Sequence, residues 1–219
     1  MMIRRAVPDD APELARLIGA IWHDDTPNAD ALARVIRERD GGTLLAHVDA
    51  RLIGFVDAFL TLRADGALRW EVDLLGVCPD ARGKGIAADL IASACTFGAA
   101  QGAQIARAIV RGDNLAAQKT FGRAGFTTDG TVYRLCVASP SDSAVDVTTH
   151  DDSYLLPVAT LTYRGVWIEG TPTPRGLAAA RSICARHGWE TAGILLTEDR
   201  AIPEGYAEIG VYQVWTKSF

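Results

Sequence analysis

Basic charge is in short supply in this 219-residue sequence: 22 Lys and Arg against 27 Asp and Glu leave a formal net charge of −5. A general nucleic-acid binder carries a basic excess, so the charge argues against one and no nucleic-acid partner is expected, while a local basic patch is allowed. Cysteine is scarce as well. The four present, Cys78, Cys95, Cys136 and Cys184, show no metal-ligand spacing and no CxxC pair. They read as reduced, mostly buried thiols, and no metal site is expected. Long apolar runs are missing too. No stretch reaches the about 18 residues of a membrane span, and the opening MMIRRAVPDDAPELA lacks the apolar core of a signal peptide. No membrane association is expected, and a cytoplasmic location is. What remains is the composition of a soluble globular protein, 48% hydrophobic and 22% charged. The length suits one large domain, or one domain and a smaller companion.

The first two-thirds of the chain alternates strand and helix signals. Residues 2–7 suit a strand; 11–22 place Leu14, Leu17, Ile18 and Ile21 at helical spacing; 28–39 read as a second helix. Strands are expected at 43–48 and 52–62 around a turn at Asp49–Arg51, then at 67–77 after a turn at 64–66. The Ala-rich run 85–100 reads as helix and 104–110 as strand. Residues 114–124 read as a helix capped by Asn114 and stopped by Gly125, and 126–137 as one or two closing strands. Residues 139–153 are polar and rich in Ser, Asp and Thr, a linker by composition. Beyond it, GLAAA at 176–180 echoes GIAAD at 85–89, and GYAEIGVY at 205–212 echoes GFTTDGTVY at 125–133. An apolar strand precedes each copy, 67–77 and 158–168. The tail 154–219 is therefore expected to be a degenerate half-repeat of a domain at 1–138.

The stretch VCPDARGKGIA, residues 77–87, joins a strand end, a glycine turn and a helix start. A helix beginning near Gly85 offers unpaired N–H groups and the positive end of its dipole. Gly83 and Gly85 admit a ligand close to the backbone, and Arg82 and Lys84 add positive charge. Together they form an anion site suited to a phosphate or pyrophosphate. It is neither a P-loop nor a dinucleotide fingerprint, since GxxxxGK[ST] and GxGxxG are both absent.

Arg82-Gly83-Lys84-Gly85-Ile86-Ala87 resembles the R-x-x-G-x-[GA] element of the GNAT N-acetyltransferases, and Asn114, Ala117, Phe121, Gly125 and Phe126 resemble their second element. The resemblance implies an α/β (α+β) GNAT fold, with a mixed, mostly antiparallel sheet flanked by helices. It implies acetyl-CoA as the acetyl donor and direct transfer to an amine of a small molecule or peptide. By the same resemblance, Arg82, Gly83, Lys84, Gly85, Ile86 and Ala87 would hold the pyrophosphate, with Asn114, Ala117 and Phe121 also at the cofactor. The backbone of Leu75, Gly76 and Val77 would meet the pantetheine at a split marked by a bulge, for which Gly76 is the expected position. The Val77 N–H would then steady the developing oxyanion.

Transfer to an amine requires a base. Simple alternation puts Glu71, Asp73, Leu75 and Val77 on one strand face, with Glu71 the first choice of base and Asp73 the second. The family's usual acid is a tyrosine where this sequence has Phe121, and Tyr133 is the substitute considered. His23, Asp24 and Asp25 sit in a loop that could meet an acceptor, and Trp22 and Trp70 could line its cleft, although charged loops are ordinarily solvated and such aromatics ordinarily core. His47 reads as structural, and His150, Asp151 and Asp152 as linker. The tail has Thr173 where the first copy has Arg82, and Thr162 and Arg164 where it has Glu71 and Asp73. It is expected to be a structural partner without a cofactor of its own, making the protein a pseudo-dimeric monomer or a homodimer. A non-catalytic acyl-CoA-binding module is the alternative, and transfer of a longer acyl group a third reading.

Overall fold

The computed structural model describes residues 1–23, 27–39, 42–141 and 153–219. Asp24 and Asp25, and most of the polar linker with His150, Asp151 and Asp152, lie outside the described residues. Strand β1 (Met2–Arg5) leads into helix α1 (Ala11–Ile21), whose Leu14, Leu17 and Ile18 are buried, and then α2 (Ala29–Glu38). Asn28 caps α2 by accepting hydrogen bonds from the Asp30 and Ala31 N–H groups. Strands β2 (Thr43–Val48) and β3 (Arg51–Leu62) form a hairpin on Asp49 and Ala50, both at positive φ, the geometry that matches strand twist. There follow β4 (Leu68–Val77), α3 (Ile86–Ala100), β5 (Ile105–Arg111), α4 (Leu115–Arg123) and β6 (Val132–Ala138).

The tail adds β7 (Ser153–Ala159), β8 (Arg164–Gly170), α5 (Pro174–His187), β9 (Thr191–Thr197) and β10 (Ala207–Ser218). The apolar run 158–168, expected as one strand, is a hairpin instead. Its turn is fixed by Thr160, whose hydroxyl accepts from the Thr162 and Tyr163 N–H groups. Such a side chain offers the backbone an alternative to the ladder, so an apolar run need not be one strand.

Among the described residues ten strands form one sheet, in the order β1-β2-β3-β4-β5-β10-β6-β9-β8-β7. Only β4–β5 and β8–β9 are parallel, so the sheet is mixed and mostly antiparallel. The last strand does not stay with the tail. β10 inserts between β5 and β6, while β6 pairs with the tail's β9. The order reads symmetrically outward from the β10–β6 pair, with β5, β4 and β3 on one side and β9, β8 and β7 on the other. Each half thus holds a strand from the other, and no sheet boundary falls at the linker.

Three cores result. One lies between α3 and the first half-sheet, around Val56, Trp70, Leu90, Ile91 and Ala106. The second packs α1 and α2 on the opposite face around Leu14, Leu32 and Phe55, and Leu161 of the tail's hairpin turn belongs to it. The third packs α5 against β8, β9 and β6. The Asp57 carboxylate, fully buried, accepts from Arg39, from the Thr43 hydroxyl at 2.7 Å and from the Leu161 N–H at 3.2 Å. Arg39 also donates to the Ala159 carbonyl at 3.0 Å. The turn of the tail is therefore pinned to the first half through charge-assisted bonds.

Candidate active site

β4 decides the site. Its pairing with β3 runs Asp57 to Leu74 and then Ala58 to Val72, so Asp73 is an extra residue with no partner. A bulge of this kind re-aims its side chain and reverses the alternation beyond it. Before it, Trp70 and Val72 face α3; after it, Leu75 and Val77 do. Glu71 lies on the opposite face from Leu75 and Val77, which corrects the single face expected from simple alternation. The bulge is also at Asp73 and not at Gly76. Gly76 is small for another reason: a Cβ there would come within 2.6 Å of Phe55 and 2.8 Å of Ile21.

At the same place β4 and β5 part. Their parallel pairing covers Arg69–Val72 against Ile105–Ala108 and ends there. The Cys78 N–H bonds to the Ile53 carbonyl. Antiparallel alternation therefore turns the N–H groups of Leu75 and Val77 away from β3, toward the gap. A cleft fills that gap, bordered by Asp73, Leu75, Val110, Asn114, Ala117 and Phe121. Trp22 and His23 stand at its α1 end and Tyr212 of β10 at its far side.

The glycine turn follows β4. Gly83 and Gly85 have φ near +80°, and nothing lies within 4 Å of where a Cβ would stand on either. Residues 82–85 are exposed. No side chain caps the α3 N-terminus, whose Ncap residue is Gly85. Arg82 donates to the Val77 carbonyl at 3.1 Å, which holds its guanidinium beside the turn; Lys84 reaches the Asp80 carbonyl at 3.4 Å. Ile86 is buried in the core below and Ala87 half-buried. Open N–H groups, a dipole end, two cations and free space are what a pyrophosphate requires. The matching turn of the tail is built differently. The Thr173 hydroxyl accepts from the Gly176 N–H at 3.0 Å, and a Cβ on Gly176 would meet the Ser153 hydroxyl at 2.3 Å. That helix start is already capped and crowded.

Asp73 and Glu71 sit in different electrostatic settings. Glu71 is buried and bonded to Arg69, to Arg107 at 2.9 Å and to the Thr61 hydroxyl at 3.0 Å. Glu169 of β8 closes the group, at 2.5 Å from Arg69 and 2.8 Å from Arg107. Burial works to raise the Glu169 carboxyl, but the two guanidiniums hold it below its usual range. Asp73 has no such partner: among the described residues no side chain forms a salt bridge with it. Asp73 is exposed to solvent through the cleft, although protein lies close around its carboxylate. Desolvation first, then the negative charges of Asp57 and Glu71, push it up to about 7, against the opposing pull of Arg39.

A second pocket opens on the far side of Asp73, between the two half-sheets. Asp73, Val72 and Ile109 border both cavities. The tail closes this pocket with Leu156, Val158, Tyr163 and Trp167. The Trp167 indole N–H donates to the Tyr163 hydroxyl at 2.8 Å. Burial, then the charge of Asp73, pushes the Tyr163 phenol well above its ordinary range.

Sequence reasoning gathered Asp73, Leu75, Asn114, Ala117 and Phe121 around one cleft, and the structure brings them together there. Tyr133 borders neither cavity; it pairs with Tyr212 one strand further out. Phe121 packs edge-on against Phe126 in the core. Trp70 is core, at 2% exposure, and His47 is buried in β2. Tyr163, Trp167 and Tyr212 were missed, because only strand exchange carries Tyr212 to the cleft and only the tail hairpin carries Tyr163 and Trp167 to the second pocket. Among the described residues no group of three His, Cys, Asp or Glu could hold a metal, and no helix is long and apolar enough to cross a membrane.

A strand that bulges and parts from its parallel neighbour, leading through an open glycine turn into an uncapped helix, is the acyl-CoA transferase arrangement implied by the sequence motifs. The model of the acetyltransferase (GNAT) family matches residues 9–126, and the chain belongs to that family. No curated protein sequence matches it. Among solved structures, a putative acetyltransferase from Pyrococcus horikoshii aligns with a TM-score of 0.62 at 12% identity, over 100% of this chain and 89% of its own. A GCN5-related N-acetyltransferase from Sphaerobacter thermophilus aligns at 0.57 and 17%, over 99% and 95%. A putative acetyltransferase from Salmonella typhimurium, solved with its cofactor acetyl-CoA, aligns at 0.51 and 20%, over 61% of this chain and 83% of its own. At these identities the likeness is one of fold. The first two extend it to the tail.

Proposed function

We propose that this acetyltransferase moves the acetyl group of acetyl-CoA to a primary amine by direct attack, with Asp73 as the general base. The observation that carries the assignment is the bulge. It places an unpaired carboxylate, raised to about 7, where the donor cleft and the second pocket meet. A base is most effective when its pKa lies near the working pH. Glu71, the first choice from sequence, is engaged by Arg69 and Arg107 and gives way to Asp73 in this reading.

Bound acetyl-CoA would supply the activated thioester. Arg82, Lys84 and the N–H groups of the 82–87 turn would hold its pyrophosphate. The N–H groups of Leu75 and Val77 would bond the donor's backbone-facing groups, Val77 also steadying negative charge on the acetyl oxygen. Asp73 accepts the ammonium proton. Tyr163 and Tyr212, both bordering cavities at Asp73 or the donor cleft, are the phenols available to protonate a leaving thiolate. A thiol leaves reasonably well as an anion, so that role assists and is not obligatory. Because one chain supplies both halves of the sheet, the arrangement favours action as a monomer over a homodimer.

The test is coenzyme A release with a thiol reagent over a panel of amines, beside calorimetry with acetyl-CoA. Asp73→Asn should bind acetyl-CoA like wild type and lose about 10²–10⁴ in kcat. Gly85→Glu, which puts a carboxylate on a left-handed backbone position at the anion turn, should lose binding altogether. The second reading, a non-catalytic acyl-CoA-binding module, is favoured by Phe121 alone. Tight acetyl-CoA binding with no turnover of any amine, and no effect of Asp73→Asn, would select it.

A further inference from the structure

The tail's hairpin turn puts consecutive side chains to different uses. Leu161 enters the core of the first half, Thr162 borders the donor cleft, and Tyr163 reaches the pocket between the half-sheets. That pocket is small, about 40 Å³, with room for one or two waters. Its polar lining is Glu71, Asp73, Arg107 and Tyr163. Glu71 and Arg107 are engaged with each other and with Arg69 and Glu169. The Tyr163 phenol is placed differently. An indole N–H only donates, so in the 2.8 Å bond from Trp167 the phenol oxygen accepts. Its own proton remains to be given elsewhere, and among the described residues no protein acceptor takes it. Burial, then the charge of Asp73, keeps that proton on the phenol.

We propose that Tyr163 is a positioning residue for the base: its phenol donates to a water held in this pocket, and that water donates to the Asp73 carboxylate. The inference rests on Asp73 being the base and goes beyond that reading in giving the tail a part in the chemistry. A water here has the partners it needs, with the phenol proton on one wall, Asp73 on another, and Glu71 and Arg107 beside them. The bridge holds the carboxylate from behind, while its cleft side stays open to an ammonium. A hydrogen bond donated to an ionised carboxylate is charge-assisted and favours the ionised form. Tyr163 therefore acts with Arg39 and against the like charges of Asp57 and Glu71. The other titratable groups that the described residues bring to the two cavities at Asp73 are Arg107 in the pocket and His23, Arg111 and Tyr212 in the cleft. Arg107 is held by Glu71 and Glu169, and Arg111 by Asp113 at 2.9 Å. Tyr212 borders the donor cleft and not the pocket, which leaves it as the phenol for the departing thiolate.

Removing the phenol oxygen takes a donor away from the ionised form, so Asp73 should then hold its proton to higher pH. The test follows the Asp73 carboxyl carbon by NMR titration of the full chain, its signal assigned by its loss in Asp73→Asn. Tyr163→Phe, which keeps the ring, should raise the midpoint by about half a unit or more. Calorimetric affinity for acetyl-CoA should stay that of wild type, because Tyr163 does not border the donor cleft. If Tyr163→Phe does not fold, Trp167→Phe is read the same way, since it leaves the phenol without the bond that aims it. A smaller rise, an unmoved midpoint or a fall overturns the proposal. With an amine that is turned over, the limb of kcat/KM should move with the midpoint. A limb that Asp73→Asn leaves in place overturns the base assignment and this inference with it, whereas a midpoint unmoved by Tyr163→Phe overturns the inference alone.

Discussion

Two carboxylates two positions apart on β4 have opposite duties. Asp73 faces Asp57, Glu71 and the Tyr163 phenol, with Arg39 as the nearest counterweight, and is raised from 3.8 to about 7. A raised acid binds its proton more tightly in the folded state. Whatever it contributes to stability is greatest below about pH 4 and is lost as pH rises through about 7, and it is small because solvent reaches the group. In the proposed reaction the same ionisation creates the base. The rate, as kcat/KM, should rise with a limb near pH 7 in wild type. Asp73→Asn should lose that limb, with little change in melting temperature because solvent reaches the side chain. A limb that survives the substitution would assign it elsewhere. Glu71→Gln should behave in the reverse manner. It leaves two buried guanidiniums sharing Glu169, at a cost of about 3 kcal/mol in denaturant unfolding, the low end for breaking a buried ion pair. The sequence displayed both acids but not their partners, because Arg107 lies on another strand and Glu169 in the tail.

At the level of single elements, the helices and strands of residues 1–124 were readable to within about two residues, since caps, glycines and apolar spacing agree, while the closing strand expected from 126 begins only at Val132. The glycine turn was readable for the same reason: its chemistry is local. The bulge was not, because nothing in WEVDLLGV marks which residue is extra; only pairing with β3 reveals it. The split of 158–168 was hidden by Leu161, an apolar turn residue that is buried in the first half's core. Helix α3 offers a test of close packing. A Cβ on Gly98 would stand 2.4 Å from the Trp70 ring. Helix propensity alone would make Gly98→Ala stabilising by up to about 1 kcal/mol. The contact should win, with a net loss of about 1–2 kcal/mol and a lower melting temperature.

Across the whole molecule, the tail's order of strand, helix and strand was visible in sequence, while the insertion of β10 between β5 and β6 was not. Pairing partners far apart in sequence leave no local trace. The capped and crowded start of α5 predicts one coenzyme A per chain, countable by calorimetric titration. Removing 154–219 takes away β10 and so strips β5 and β6 of a shared neighbour. It also uncovers the pocket wall and Leu161's seat in the core. The shortened chain should aggregate. A soluble, fully stable truncated chain in light scattering and thermal melts would contradict this.

Strand exchange also sets the order in which the molecule can be completed. β5 ends at Arg111, and the strand that must lie beside it begins only at Ala207. During synthesis the first half, though its motifs are all present early, waits with one edge of β5 open until nearly all of the described chain has been made. Contacts this remote in sequence carry a loop-closure cost before they return anything, and they slow folding. The nascent first half thus spends its exposed period as a half-finished sheet, the state in which neighbouring chains on a polysome can pair with one another instead of with their own last strand.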